Sequence, residues 1–172
     1  FISQWLCAYP MMTETISYRK YHLIHHKHTE TDLDPDKTLT DPFPVSKKSF
    51  SRKVLRDLTG ISGLRRYLGY LYSAWGVNEN TFFGHLKHFV SSLYGFLICQ
   101  LIIFSTLTFF NVPWLYLLLW WIPKLTIFSL FYRLRSISEH ACTSGQDDFN
   151  HTRTTLSSNF VRYFIAPLNV NY

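Results

Sequence analysis

Three histidines lie within five residues near the start of the chain, in the sequence His22-Leu-Ile-His25-His26. Residues 15–29 contain neither Gly nor Pro, so a helix is predicted there. On a helix, positions i, i+3 and i+4 share one face, with their side chains roughly 5–6 Å apart. Three imidazoles spaced in this way can converge on one metal ion or divide between two close ones. The alternative is a solvated helix whose histidines bind nothing.

The type of metal is not fixed by the cluster, because imidazole binds iron, zinc and copper alike. Structural zinc usually takes four ligands, often cysteines, and no cysteine lies near these histidines in sequence. A fourth histidine, His140, follows Glu139 well beyond the cluster. A single histidine near a membrane boundary more often lies at the interface than binds a metal. The sequence around His140 alone therefore leaves both roles open.

Two apolar stretches separate the cluster from His140. Residues 89–110 carry no charge, and at ~1.5 Å per residue they reach ~33 Å, enough to cross a bilayer core. Residues 114–132 form the second stretch, interrupted only by Pro123 and Lys124, and Asn111-Val112-Pro113 between them is typical of a tight turn. The pattern predicts a transmembrane helical hairpin, about 89–110 and 114–132. His140 would then lie at about the depth of the first cluster.

The distribution of charge predicts how this hairpin is oriented. Of the 17 Lys and Arg, 16 lie before or after the hairpin, and the turn has none. By the positive-inside rule, both chain ends and all the histidines are expected on the cytoplasmic side of an integral membrane protein. The net charge of +6 fits basic segments facing anionic membrane lipids. No basic stripe or nucleic-acid motif accompanies that charge, so no nucleic-acid partner is expected.

The acidic segment after the cluster has some features of a different kind of metal site. Asp32, Asp34 and Asp36 resemble the start of a calcium-binding loop, but Lys37 and Phe43 occupy the positions that need Gly and Glu. A calcium loop is therefore excluded. The length of 172 residues suits one domain, 1–172.

Taken together, these segments resemble the membrane fatty acid desaturase family. The stretch from His22 to Pro35 is similar to the second histidine box of that family and its acidic continuation, and Ser138-Glu139-His140-Ala141 to a further histidine ligand. The ending Ala166-Pro-Leu-Asn-Val-Asn-Tyr172 resembles the run before the third box. The resemblance implies an all-α integral membrane fold, with one transmembrane hairpin and a cytoplasmic helical cap that bears the metal site.

By this resemblance, two iron ions are expected as cofactor, with His22, His25, His26 and His140 among their ligands. Residues expected to support these ligands or face the substrate are Glu30, Asp32, Glu139, Arg153 and Asn171. The first histidine box would lie upstream of Phe1 and the third past Tyr172. The chain is therefore expected to be an inactive fragment of a desaturase.

The reaction that the resemblance implies is the O₂-dependent insertion of a cis double bond into a fatty acyl lipid or thioester. An electron donor such as cytochrome b5 or ferredoxin would supply two electrons, and the basic residues around Lys47, Lys48, Arg52 and Lys53 could attract it. A membrane di-iron hydroxylase or carotenoid ketolase would use similar histidine boxes.

Two further interpretations belong to different classes of protein. A metal transporter would use the histidines to bind its cargo, but it needs polar side chains facing a pore, and residues 89–110 offer only Gln100 and a few hydroxyls. A non-catalytic membrane protein would give the clustered histidines no purpose. Both interpretations therefore explain less of the sequence than a desaturase does.

Overall fold

The computed structural model describes residues 1–29, 31–37, 42–76, 78–142 and 158–160. In this part of the chain every assigned element is helical, which confirms the predicted all-α class. The α-helices are α1 (Thr15–His28), α2 (Lys47–Leu58), α3 (Ile61–Ala74), α4 (Phe82–Phe109), α5 (Ile122–Leu125) and α6 (Ile127–His140). Gln4–Ala8 and Tyr116–Trp121 are π-helical, and Tyr9–Met11 is a short 3-10 turn.

The chain divides into two compact units. The first comprises residues 1–19 and 56–129, and the second comprises residues 20–55 and 130–172. The first unit contains most of the apolar hairpin, including its turn, and the second contains the histidine cluster.

Two helices are long and apolar enough to cross a membrane, as the sequence predicts. They are Phe82–Phe109, with a mean hydropathy of 1.8, and Tyr116–His140, with 1.3. Within their apolar windows only 28% and 17% of the residues are buried. The core helix of a soluble protein is mostly buried, whereas these helices expose large apolar side chains, for example Leu101 and Leu119, each 65% exposed. That exposure fits a lipid-facing surface.

The helix bounds differ from the apolar stretches at two places. The first helix begins seven residues before Phe89, because the side chain of Thr81 accepts a hydrogen bond from the Gly84 N–H and caps it. The second helix continues past residue 132 to His140. Counting apolar residues locates the hydrocarbon-crossing part but does not detect polar turns that extend a helix into the interface.

The turn between the two spans is held by backbone hydrogen bonds. Asn111 has a positive φ of 60°, and its N–H donates to the Thr108 carbonyl. The Val112 N–H donates to the Leu107 carbonyl. This pair of bonds is a Schellman motif with Asn in the left-handed position, so it ends the helix and reverses the chain.

Side chains of the two spans then pack in antiparallel order. The ring centroids of Phe104 and Tyr116 lie 5.4 Å apart, and those of Phe96 and Trp121 lie 6.3 Å apart. The Tyr116 hydroxyl donates to Gln100 Oε1 at 2.8 Å. The first unit therefore contains a packed helical hairpin.

Two glycines let other segments approach this hairpin closely. A Cβ at Gly63 in α3 would lie 2.3 Å from the Leu125 carbonyl oxygen, and one at Gly95 in α4 would lie 2.4 Å from the Tyr9 ring. Both positions need the absence of a side chain, because the neighbouring atoms already occupy its volume. These contacts pack α3 and the N-terminal segment against the hairpin.

The same contacts enclose Lys124, the charged residue that interrupts the second apolar stretch. Lys124 is 4% exposed, and its ammonium donates to the Pro10 carbonyl at 2.9 Å. It lies 4.8 to 5.3 Å from the ring centroids of four aromatic side chains, those of Tyr67, Phe96, Trp120 and Trp121. Gln100 Nε2 donates to the same Pro10 carbonyl. We call Lys124 with these partners the lysine cluster.

Candidate metal centre

Three of the four predicted ligands lie on α1, in the part of this helix that belongs to the second unit. His25 is 3% exposed, while His22 and His26 are partly exposed. Nε2 of His22 lies 3.0 Å from Nε2 of His26, as the i, i+4 spacing on one helix face allows. The Thr29 hydroxyl donates to the His25 carbonyl at 2.8 Å and so satisfies a carbonyl at the end of the helix.

His140, the last residue of α6, meets the first cluster. Its Nε2 lies 3.1 Å from Nε2 of His25, and the two rings are nearly perpendicular, at 89°. Both side chains are buried, at 3% exposure each. The structure therefore brings all four predicted histidines together, as two pairs of facing nitrogen atoms.

The spacing within each pair fits metal ligation. Imidazole nitrogen binds a transition metal at about 2.0–2.1 Å, so two such ligands at a right angle are about 3.0 Å apart. The two pairs have this separation, 3.0 and 3.1 Å. Among the described residues, no group of three or more His, Cys, Asp or Glu side chains already surrounds a single point. The separation of the nitrogen atoms in each pair thus fits a metal ion that is bound by two imidazoles and further ligands.

Asp34 orients the most buried histidine of α1. Nδ1 of His25 lies 2.7 Å from Asp34 Oδ1, and the same oxygen accepts the Asp36 N–H at 2.8 Å. Asp34 is 7% exposed. A carboxylate in this position fixes the proton on Nδ1 and leaves the Nε2 lone pair facing His140, as supporting residues do in metal sites.

This role of Asp34 is absent from the sequence-based expectations. From the sequence, calcium binding by the acidic segment is excluded, and Asp32 is expected to support the metal ligands. In the structure, it is the Asp34 carboxylate that contacts the preceding helix. The signal is the sequence Asp34-Pro35-Asp36, in which the Asp34 side chain caps its own turn by accepting the Asp36 N–H. That turn holds the carboxylate where His25 reaches it.

Two other acidic residues of the prediction lie in different surroundings. Asp32 is on the surface, where its carboxylate binds the Lys37 ammonium at 2.6 Å, and this hydrogen bond lowers the pKa of Asp32. Glu139 is buried and accepts the Arg135 Nε–H at 2.8 Å. The other oxygen of Glu139 lies 3.8 Å from Nε2 of His140, close enough to attract a positive charge there.

The remaining predicted site residues, Glu30, Arg153 and Asn171, lie outside the described residues. Two histidines outside the prediction have a visible structural role. Nδ1 of His85 and of His88 each lie 2.8 Å from a backbone carbonyl oxygen at the end of α3, so both rings cap that helix.

The protonation of His22 and His26 favours metal binding. Burial, followed by the charge of His25, lowers the pKa of His22. Burial and the charge of His22 lower the pKa of His26 to about 4. Both imidazoles are therefore neutral near pH 7, and a neutral imidazole has the lone pair that a metal needs.

Comparison with known proteins agrees with these observations. No curated protein and no solved structure matches the chain. The family model for fatty acid desaturases matches residues 1–172. That match confirms the resemblance drawn from the histidine segments, and the chain belongs to the fatty acid desaturase family.

Proposed function

We propose that the protein inserts a cis double bond into a fatty acyl chain, using O₂ and a pair of iron ions held by histidine. The observation that carries the proposal is the meeting of four imidazoles from α1 and α6 as two pairs, with 3.0 and 3.1 Å between their nitrogen atoms. The family match covers the whole chain, which supports one desaturase-like domain. The substrate would be an acyl lipid or an acyl thioester.

Within this proposal, His22 and His26 would hold one ion, and His25 and His140 would hold the other. The ring centroids of His22 and His25 are 6.0 Å apart, which suits adjacent ions rather than a shared one. Asp34 keeps the proton of His25 on Nδ1, so that its Nε2 points to the ion. Glu139 adds negative charge beside His140 and balances part of the metal charge.

The substrate explains why such a centre is needed. A saturated acyl chain has no acidic proton and no carbonyl at the reacting carbons, so an acid or a base has nothing to act on. Iron with O₂ supplies the oxidant for an unactivated C–H bond, while the protein positions the substrate and excludes water. The pair His25 and His140 is buried, at 3% exposure each, which supports the exclusion of water from the proposed site.

The membrane arrangement is part of the proposal. The two spans would place both chain ends and the histidines at the cytoplasmic face, in contact with membrane lipids. An electron donor such as cytochrome b5 or ferredoxin would bind the basic end of α2, where Lys47, Lys48 and Arg52 are exposed. Reversing these charges should slow electron transfer without changing iron content, and an unchanged rate would remove this docking surface from the proposal.

The central test is iron uptake by the protein expressed from its complete reading frame. We expect about two iron ions per chain, and loss of most bound iron in His25→Ala and in His140→Ala. His28→Ala is the matched control, since it removes another histidine of α1 and should retain both ions. Iron binding by His25→Ala at the wild-type level would overturn the assignment.

Product analysis separates the proposed reaction from hydroxylation and ketone formation. Mass spectrometry of the acyl chains should show the loss of two hydrogen atoms without a gain of oxygen. A hydroxylated or ketonic product would assign the site to a hydroxylase or ketolase instead.

A further inference from the structure

The first unit contains a half-open cavity of about 450 Å³ that the desaturation chemistry does not use. Four segments line it: the N-terminal turn that contains Tyr9, the start of α1, the end of α3 and the first turns of α4. A cavity of this volume is in the range of small-molecule and headgroup sites.

The lining has an unusual chemical composition. Eight of its fourteen described residues carry a hydroxyl group, and Glu14 contributes the only carboxylate among them. None of the described residues that line it is Lys or Arg, although the chain contains 17 of them. Hydroxyls both donate and accept hydrogen bonds, so the cavity matches a ligand that does the same.

Several of these polar groups are already held in place. The Tyr9 and Tyr94 hydroxyls are hydrogen-bonded to each other, and the Ser17 hydroxyl donates to Glu14. Gly95 lets the Tyr9 ring lie flat against α4. A site whose donors and acceptors are fixed before binding loses less entropy when the ligand enters.

The position of the cavity on α4 indicates the kind of ligand. Ser91 and Ser92 lie in the first turn of the uncharged part of α4. The buried side chains of Leu93, the next residue, and Phe96, one turn further along, form an apolar wall. In a membrane-spanning helix this is the level where headgroups meet the hydrocarbon. A ligand with a polar head and an apolar tail fits both parts.

We propose that this cavity binds the uncharged, hydroxyl-rich headgroup of a membrane lipid, such as a sugar or glycerol headgroup. Phosphate is bound most strongly by Arg or Lys, neither of which is among the described lining residues, and it would be repelled by Glu14. The imidazole of the lining, His88, has its Nδ1 2.8 Å from the Ala74 carbonyl oxygen and so already caps α3. Tyrosine hydroxyls and a carboxylate instead bind sugar hydroxyls directly, while the Tyr94 ring, 45% exposed, offers an apolar face. The proposal is independent of desaturation, since binding alone tests it.

The experiment counts lipids bound to the purified protein by native mass spectrometry. Delipidated protein is titrated with monogalactosyl diacylglycerol, phosphatidylglycerol and phosphatidylcholine of the same acyl composition. We expect the galactolipid to bind about 10-fold more tightly than either phospholipid. Equal or tighter binding of phosphatidylglycerol would overturn the proposal, and so would equal or tighter binding of phosphatidylcholine.

Two variants locate the site. Ser92→Leu fills the cavity, and Glu14→Gln removes its carboxylate at a solvent-exposed position, where we expect little effect on folding. Each should weaken galactolipid binding about 10-fold. The controls are Ser105→Leu on the exposed side of α4 and Glu79→Gln outside the cavity, which should bind as the wild type does. Wild-type binding by both Ser92→Leu and Glu14→Gln would show that the lipid binds elsewhere.

Discussion

The histidine cluster of the second unit and the lysine cluster of the first both bury polar groups, in opposite ways. Lys124 is surrounded by groups that stabilise a cation: a carbonyl oxygen at 2.9 Å and four ring faces within 5.3 Å. The histidines instead turn nitrogen atoms towards each other at about 3 Å. The lysine cluster contains its own cation, whereas the histidine cluster brings together nitrogen atoms that we propose bind added metal ions.

The two clusters therefore have different roles among the described residues, few of which have buried side chains. The lysine cluster joins the N-terminal segment, α3 and both spans through Pro10, Tyr67 and Gln100. Lys124 and Gln100 are hydrogen-bonded within the protein, so they stabilise the fold, whereas the buried Nε1 of Trp120 has no hydrogen-bond partner among the described residues. The paired imidazoles face each other through ring nitrogen atoms 3.0 and 3.1 Å apart, and the proposed ions would take a lone pair from each.

Reversing the charge of Lys124 should have the largest effect. Lys124→Glu would place a carboxylate against the Pro10 carbonyl and the negative faces of four rings, and the cost should be about 3–5 kcal/mol of unfolding free energy. Lys124→Gln keeps a donor to Pro10 and should cost about 1–2 kcal/mol. Thermal unfolding in detergent measures both. Equal stability of the two variants would show that the sign of the charge is irrelevant.

The second-largest effect on stability is expected where α3 packs closely on the hairpin beside Lys124. Gly63→Ala brings a Cβ to 2.3 Å from the Leu125 carbonyl oxygen, a backbone atom that cannot rotate away, and should destabilise the protein by about 2–3 kcal/mol. Gly69→Ala in the same helix meets no atom within 4 Å and should stabilise it by about 0.5–1 kcal/mol. If both variants shift the unfolding temperature in the same direction, α3 does not pack on Leu125 through Gly63.

In the histidine cluster, the comparison predicts a loss of metal affinity. Asp34→Ala removes the carboxylate that orients His25, and iron affinity should fall about 10–100-fold. Asp32→Ala, two residues away on the surface, should leave iron affinity unchanged. Iron titration against a competing chelator measures both. Equal losses would mean that the acidic segment acts by its charge and not by the bond to His25.

The smallest effect is expected where the hairpin arms exchange one hydrogen bond. Tyr116→Phe removes the bond to Gln100 Oε1 and should cost about 1 kcal/mol, with iron content unchanged. Tyr72→Phe, at a side chain that is 68% exposed, is the control and should not alter the unfolding temperature. Loss of iron in Tyr116→Phe would contradict the division of roles between the two clusters.

Much of the fold and of the candidate metal centre could be predicted from local sequence. The spacing of His22, His25 and His26 places them on one helix face wherever that helix lies, because helical periodicity is a local property. The apolar stretches and the turn at Asn111 are equally local, and the structure confirms the helices that they predict. The role of Asp34 was not predictable in this way, since it depends on a turn that folds back over nine residues.

The sequence by itself determined the all-helical class, two helices apolar enough to span a membrane, the family and a set of four histidines. Only the tertiary structure decided how these histidines pair, because His25 and His140 are 115 residues apart and meet through packing. It also decided that Lys124, an interruption in an apolar stretch, is enclosed by aromatic rings contributed by three helical segments. Periodicity fixes which face of a helix a residue occupies, whereas its partners depend on how distant segments pack.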